Sequence, residues 1–242
     1  MDREVDRCLE CGDASGYFTV VYRAVTERVR NGIAAGDFAD GEQMEHFDVL
    51  FAQRYLDARD AWNAHSDAVP ESWRLAFETA QSGRCLVAQH LLLGINAHIN
   101  LDLGVAAAAA APPGEVEALR DDFETINDVL AELVDRMQAS LASVSPWTRW
   151  VDVAGLRFDE AVVTFSLRRA RAEAWDFATA LSSASPEERR RLEAQRDADV
   201  AALGARIARP GRPMRWLVGA AQRREHHDLR SVIDGLGVRS QQ

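Results

Sequence analysis

The stretch at residues 89–102, QHLLLGINAHINLD, decides the fold of this chain. Drawn as a helix, it places leucine or isoleucine on nearly every side, which is typical of a helix that is buried all round. Six polar side chains interrupt this apolar surface: Gln89, His90, Asn96, His98, Asn100 and Asp102. Burying so many polar groups is costly unless each finds a hydrogen bond, a charge partner or a metal. The stretch therefore predicts both the central helix of the protein and the place of its chemistry.

The polar side chains of this helix fall on two faces. At 100° per residue, Gln89, Asn96 and Asn100 share one face. His98 and Asp102 are one turn apart on a second face, with His90 to one side of it. Two ligands at positions i and i+4 of a helix can bind one metal ion, and a buried aspartate needs a cation to balance it. The alternative is a histidine–aspartate hydrogen bond that only joins helices, and the spacing leaves both interpretations open.

A second acidic pair, Glu45-x-x-Asp48, lies on a long predicted helix and shares one face of it. Large apolar residues surround the pair, so at least one carboxylate is expected to point inward. Acidic residues are also favoured in the first turn of a helix, which explains Glu45 better than Asp48. If this helix packs antiparallel to the central one, both carboxylates face His98 and Asp102. Such an oxygen-rich site would suit zinc, manganese, iron or magnesium.

Other side chains are candidates for supporting roles. His90 would serve as a further ligand or as the general acid/base, and His98 is a catalytic candidate as well as a ligand. An arginine would bind an anionic substrate, the alternative being an exposed arginine-rich face. The residues expected to orient ligands or contact substrate are Gln89, Asn96, Asn100, Tyr55, Arg168 and Arg171.

Composition excludes several classes of protein. All 28 basic residues are arginine, so a Schiff-base lysine and a Walker-A phosphate loop are excluded. The net charge of −10 argues against a general nucleic-acid-binding surface. Cys8-x-x-Cys11 lacks the second cysteine pair of a zinc ribbon and is read as two ordinary thiols. No membrane span or secretory signal is recognised, which predicts a cytoplasmic protein, and the oligomeric state is left open.

The remaining patterns predict an all-α fold, a single compact domain of seven to eight helices around the buried polar helix. No segment alternates in the manner of a strand. The domain would comprise residues 1–242, with residues 1–15 as an irregular N-terminal arm. Helices are predicted at about 17–34, 41–65, shortly after Pro70, 84–110, 115–141, 159–182, 186–209 and 214–233.

Four blocks of the chain resemble domain-of-unknown-function family 5995. They are CGD at 11–13, VYRAVT at 21–26, MEHFD at 44–48 and QHLLLGINAHINLDL at 89–103. The resemblance extends over nearly the full length and implies a compact helical domain. In a looser likeness, His98-x-x-x-Asp102 is similar to a metal-ligand pair of the zinc-dependent phospholipase C and P1-nuclease group. That group also has an H-x-x-x-E pair, which is absent from this sequence.

Two functions are consistent with these patterns. The first is a metal-dependent enzyme in which Glu45, Asp48, His98 and Asp102 hold the metal. A metal-polarised water would then attack a small ester or phosphoester substrate. The second is a metal-free helical pocket that binds an apolar small molecule, or that acts as a lyase or cyclase by acid/base groups.

Overall fold

The computed structural model describes residues 1–83, 85–126, 167–211, 218–219 and 228–238, and within these ranges it is all-α without a strand. The predicted fold class is confirmed. Nine α-helices are described, where seven to eight were predicted for the whole chain. They are α1 (Asp2–Cys11), α2 (Gly16–Ala35), α3 (Gly41–Asn63), α4 (Glu71–Ser82), α5 (Val87–Ala97), α6 (Leu103–Ala110), α7 (Leu167–Ser183), α8 (Pro186–Ala208) and α9 (Leu229–Val238).

Two helices begin where the capping residues predict. The Asp40 carboxylate accepts a hydrogen bond from the Gln43 backbone N–H at 3.0 Å and so starts α3. The Ser185 hydroxyl accepts from the Glu188 N–H at 3.3 Å, and Pro186 occupies the first position of α8. Both starts were predictable because the residues that satisfy the free N–H groups are neighbours in sequence.

The N-terminal segment corrects the prediction of an irregular arm over residues 1–15, because Asp2–Cys11 forms α1. Val5 and Cys8 are buried on its inner side, and the Glu4 carboxylate accepts from Arg59 of α3 at 2.7 Å. A ten-residue helix is marginal by itself. The contact between Glu4 and Arg59 that stabilises α1 joins residues 55 positions apart, so no local sequence pattern predicts this helix.

The predicted central helix is confirmed as one continuous element, Val87–Ala110, in which a π-helical turn at His98–Asp102 joins α5 to α6. By length and composition it could cross a bilayer, but 83% of its most apolar window is buried inside the protein, as expected of a core helix. Gly104 lets α7 approach closely, since a Cβ atom there would lie 2.8 Å from the Ala174 carbonyl oxygen.

Parts of several predicted helices lie outside the described residues. Of the helix predicted over 115–141, the structure describes a 3-10 turn at Val116–Leu119 and helical residues 120–126. The helix predicted from residue 159 is described from Leu167 onward. Most of the last predicted helix, 214–233, also falls outside the description, and α9 begins at Leu229.

Candidate functional site

The predicted histidine–aspartate pair is present at the centre of the fold. His98 Nδ1 lies 3.1 Å from Asp102 Oδ2, and the two side chains lie at the ends of the π-helical turn. Both are buried, with 2% and 0% of their surfaces exposed. π-helical turns are rare and frequently occur at functional positions, because they change the direction of side chains along a helix.

The Asp102 carboxylate accepts hydrogen bonds from two other helices. Trp73 Nε1 of α4 donates to Oδ2 at 2.8 Å, and Arg54 Nε of α3 donates to Oδ1 at 3.3 Å. Because Asp102 is charged and buried, the Arg54 guanidinium supplies the cation that it requires. This arrangement matches the simpler interpretation of the pair, in which it joins helices.

The His98 ring lies inside an aromatic cluster. Phe51 stacks on it with ring centroids 3.7 Å apart, and Tyr22 meets it edge-on at 4.3 Å. Burial lowers the pKa of His98 by more than the hydrogen bond to Asp102 raises it, so the ring is neutral at pH 7. His98 Nε2 and the Tyr22 hydroxyl are both buried without a hydrogen-bond partner among the described residues.

The two residues of the second acidic pair differ in their exposure to solvent. Glu45 is exposed on α3, whereas Asp48 is partly buried. Desolvation raises the pKa of Asp48 to about 6. Burial raises the pKa of Tyr22 well above its ordinary value, and the charges of Asp48 and Asp102 raise it further. Because Tyr22 is buried, a carboxylate close enough to act on it lies on the inward side of α3.

We expect Asp48→Asn to stabilise the protein at pH 7 and to have little effect at or below about pH 4. The pKa of Asp48 is about 6 in the folded protein and its ordinary value is 3.8. At a pH between these two values the folded state keeps a proton that the unfolded state releases. Wild-type stability therefore falls as pH rises through this window. Urea unfolding of both proteins at pH 4 and pH 7 measures the effect, and Glu45→Gln is the exposed control. An equal difference at the two pH values would contradict this assignment.

The four predicted metal ligands do not form one donor set in the structure. Glu45 is exposed, and both oxygens of Asp102 already accept hydrogen bonds, one of them from the Arg54 cation. In the described part of the chain, no group of three or more His, Cys, Asp or Glu side chains has the spacing of a metal site. Zinc, manganese or iron bound by Glu45, Asp48, His98 and Asp102 stays a prediction that this geometry does not favour.

The other polar face of the central helix contacts α8 rather than a ligand. Gln89 Nε2 donates to the Ile207 carbonyl at 2.8 Å, and Asn96 Nδ2 donates to the Val200 carbonyl at 2.9 Å. Asn100 Nδ2 in turn donates to Asn96 Oδ1 at 3.0 Å. The predicted common face is confirmed. The hydrogen bonds of these three side chains hold the central helix to α8, whereas the sequence predicted that they orient metal ligands or substrate.

Of the three further candidates, Tyr55 lies beside the His98 ring, with ring centroids 6.4 Å apart. Tyr55 Oη is 2.6 Å from the Thr19 hydroxyl, between α3 and α2. Arg168 is exposed on α7. Arg171 is buried, lies 4.3 Å over the Phe123 ring and donates to the Phe123 carbonyl. Arg171 thus contacts the segment that follows α6.

A second polar region surrounds a cleft of about 670 Å³ between α1, α2, α3, α4, α5 and α9. We call it the N-terminal cleft. Its size lies within the range of small-molecule sites, roughly 300–1,000 Å³. Its principal lining residues are Arg7, Cys11, Asp13, Tyr17, Arg59, Trp62, Cys85, His90 and Leu229.

Arg59 forms the charged centre of this cleft. Its Nε donates to Glu4 at 2.7 Å and its Nη2 to Asp13 at 2.9 Å, while its guanidinium lies 4.8 Å over the Phe77 ring. Burial alone favours the neutral form of Arg59, yet the surrounding groups, Asp13 and Glu4 among them, raise its pKa above the ordinary value. Arg59 therefore carries its charge inside the protein although it is only 2% exposed.

His90, a predicted catalytic residue, lines the N-terminal cleft. Its ring centroid lies 6.0 Å from that of Tyr17. His90 also borders a small void of about 10 Å³ between the cleft and the aromatic cluster, and Tyr55 and Trp73 line the same void. The void has room for about one water molecule. The structure thus places His90 at the cleft and His98 in the closed interior.

Sequence reasoning missed Arg59 and Arg54. Arg59 follows Tyr55 by one helical turn, so it falls on the buried face of α3, and this was the available signal. Because the charged residues Asp57 and Asp60 lie next to Arg59 in sequence, the segment has the composition of an exposed helix surface. Arg54 directly precedes Tyr55, but nothing in its spacing points to Asp102, which lies 48 residues further along the chain.

Comparison with known proteins completes the description of the chain. No curated protein and no solved structure matches it. One family model matches residues 1–210, which is most of the chain. The chain therefore belongs to DUF5995, a family of unknown function, as the four sequence blocks suggested.

Proposed function

We propose that this protein binds a small molecule in the N-terminal cleft and acts on it through His90 as a general acid/base, without a metal. The main support for this proposal is the cleft of about 670 Å³, which both His90 and the buried Arg59 line. Pockets of this size with a few convergent polar groups are the usual form of a small-molecule site.

The lining suits a ligand that is apolar on one side and polar on the other. Tyr17, Trp62 and Leu229 offer apolar surface, and Arg59 and His90 offer hydrogen-bonding groups. Imidazole is the side chain whose ordinary pKa lies nearest to neutral pH, so it can take or release a proton under physiological conditions.

The His98–Asp102 pair is assigned a structural role in this proposal. Its hydrogen bonds to Trp73 and Arg54 join three helices, and the Phe51 ring covers His98 at stacking distance. Chemistry on a substrate requires a group that borders the substrate, and His90, although only 7% exposed, is the histidine of the central helix that lines the cleft.

We expect His90→Gln to weaken ligand binding in the cleft about five- to thirtyfold, the loss of one hydrogen bond worth about 1–2 kcal/mol. A small-molecule library is screened by NMR, using the imidazole signal of His90 and the indole signal of Trp62 as reporters. Affinities are then compared between wild type and His90→Gln. The control is His46→Gln, because His46 is exposed on α3 outside the cleft. Hits that bind both variants equally would contradict the role of His90.

Elemental analysis separates this proposal from the metal-dependent alternative. Protein purified without a metal-binding tag is analysed together with Asp102→Asn. We expect neither protein to hold a stoichiometric metal. Near-stoichiometric zinc, manganese or iron in the wild type that is lost in the variant would establish the metal site and overturn the metal-free proposal.

A further inference from the structure

One nitrogen of the Arg59 guanidinium has no hydrogen-bond partner in the described part of the chain. Its Nε and Nη2 atoms donate to Glu4 and Asp13, but Nη1 is buried and has no hydrogen-bond partner among the described residues. An unpaired donor on a buried charged group costs more than one on a neutral group. Arg59 lines the N-terminal cleft, so its guanidinium borders the space that a ligand would occupy, and Nη1 is the donor left for an oxygen atom of that ligand.

The charge around Arg59 is already balanced among the described residues. Arg7 and Arg59 carry two positive charges, while Glu4 and Asp13 carry two negative ones, and all four are joined by contacts of 2.7–3.0 Å. Although burial alone would raise the pKa of Asp13, Arg59 and the hydrogen bonds from Ser15 lower it, so the carboxylate is ionised. Burial raises the pKa of Cys8 and Cys85 to about 11, so both thiols are neutral.

We infer that the ligand of the N-terminal cleft presents a neutral carbonyl oxygen, as in an amide, ester or ketone, to Nη1 of Arg59. This inference rests on the proposed function of the cleft. A carboxylate or phosphate would be an additional anion beside two guanidinium groups that are already neutralised, and it would lose its hydration on entering. A carbonyl oxygen accepts the same hydrogen bonds at a smaller desolvation cost.

The position of Arg59 gives such a carbonyl a chemical role. A hydrogen bond from a charged donor is about twice as strong as one between neutral groups, and it polarises the carbonyl. Negative charge that develops on the oxygen during a reaction is stabilised by donors already held in place. Glu4, Asp13 and the Phe77 ring hold the Arg59 guanidinium in one orientation before the ligand arrives.

The experiment compares two probes of nearly equal shape, acetamide and sodium acetate, by NMR of the arginine side-chain N–H groups, with sodium chloride matching the ionic strength. We expect acetamide to shift the Arg59 signals together with the Trp62 indole signal, and acetate to shift neither more than sodium chloride does. Arg59→Lys should weaken acetamide binding about tenfold. The matched control is Arg171→Lys, since Arg171 is also buried over a phenylalanine ring but lies outside the cleft.

Acetate that binds as tightly as acetamide, or acetamide that shifts Trp62 but not Arg59, would overturn the inference and leave the cleft as a ligand site. A library in which no compound shifts any cleft signal would overturn the proposed function as well. If Arg59→Lys does not fold, the Arg59 signals of the wild-type protein decide the question alone.

Discussion

Asp102→Asn is expected to lower the free energy of unfolding by about 3 kcal/mol. Breaking a buried ion pair costs about 3–5 kcal/mol, and the low end applies because the Arg54 side chain is 33% exposed and asparagine keeps part of the hydrogen bonding. The carboxylate is 0% exposed and accepts from Trp73, His98 and Arg54. The amide nitrogen of asparagine cannot accept, so at least one of these donors loses its partner. For a chain of this length the melting temperature should fall by about 6–12 °C.

Urea unfolding followed by circular dichroism at pH 7 measures this loss. Asp57→Asn is the matched control, because Asp57 is exposed on α3 and contacts only Gln53 among the described polar side chains, at 2.6 Å. It should change stability by less than about 0.5 kcal/mol. A loss below about 1 kcal/mol for Asp102→Asn would contradict the structural role of the pair. If the folded variant still binds cleft ligands, the roles of Asp102 and His90 are separate.

Gly94→Ala is expected to destabilise the protein by about 2 kcal/mol, although alanine is the better helix former by about 1 kcal/mol. A Cβ atom at this position in α5 would lie 2.4 Å from Cγ of Phe18 and 2.8 Å from its Cβ. The Cβ of Phe18 cannot move without shifting α2. The Phe18 ring also packs against Trp73 and His98 at 5.5 and 5.7 Å, so displacing it disturbs the aromatic cluster.

Thermal and urea unfolding test this prediction, with Gly41→Ala as the control. A Cβ atom at Gly41 in α3 would lie 3.5 Å from the nearest side-chain atom, an ordinary contact, so that variant should be neutral or slightly stabilised. Phe18→Ala should rescue part of the Gly94→Ala loss in a double-mutant cycle, since it removes the Cγ atom that clashes most closely. Equal effects of the two glycine substitutions would show that the close approach is not rigid.

The central helix and its two polar faces were predictable because both follow from the helical period alone. Gln89, Asn96 and Asn100 share one face, and His98 contacts Asp102 on the other. The partners of these faces were not predictable. The α8 carbonyls lie more than 100 residues away from Gln89 and Asn96, and helical periodicity carries no information about which helix packs there.

The N-terminal cleft illustrates the same limit for the candidate site. His90 was singled out because it lies in an unusually apolar helix, and the structure places it at the cleft. Arg59, Asp13 and Glu4 were not joined by any sequence pattern, since they belong to α3, the α1–α2 turn and α1. A charged residue on a helix reads as exposed until its partner is known.

The sequence by itself determined most of the helical segments, with α1 as the exception. It also determined where α3 and α8 begin and which side chains are buried in the central helix, because these depend on neighbours within a few residues. Only the tertiary structure decided that Arg54 balances Asp102, that Glu45 stays in solvent and that Arg59 shares a cleft with His90. The physical reason is that the cost of burying a charge depends on the groups around it in space, and helix packing brings those groups from distant parts of the chain.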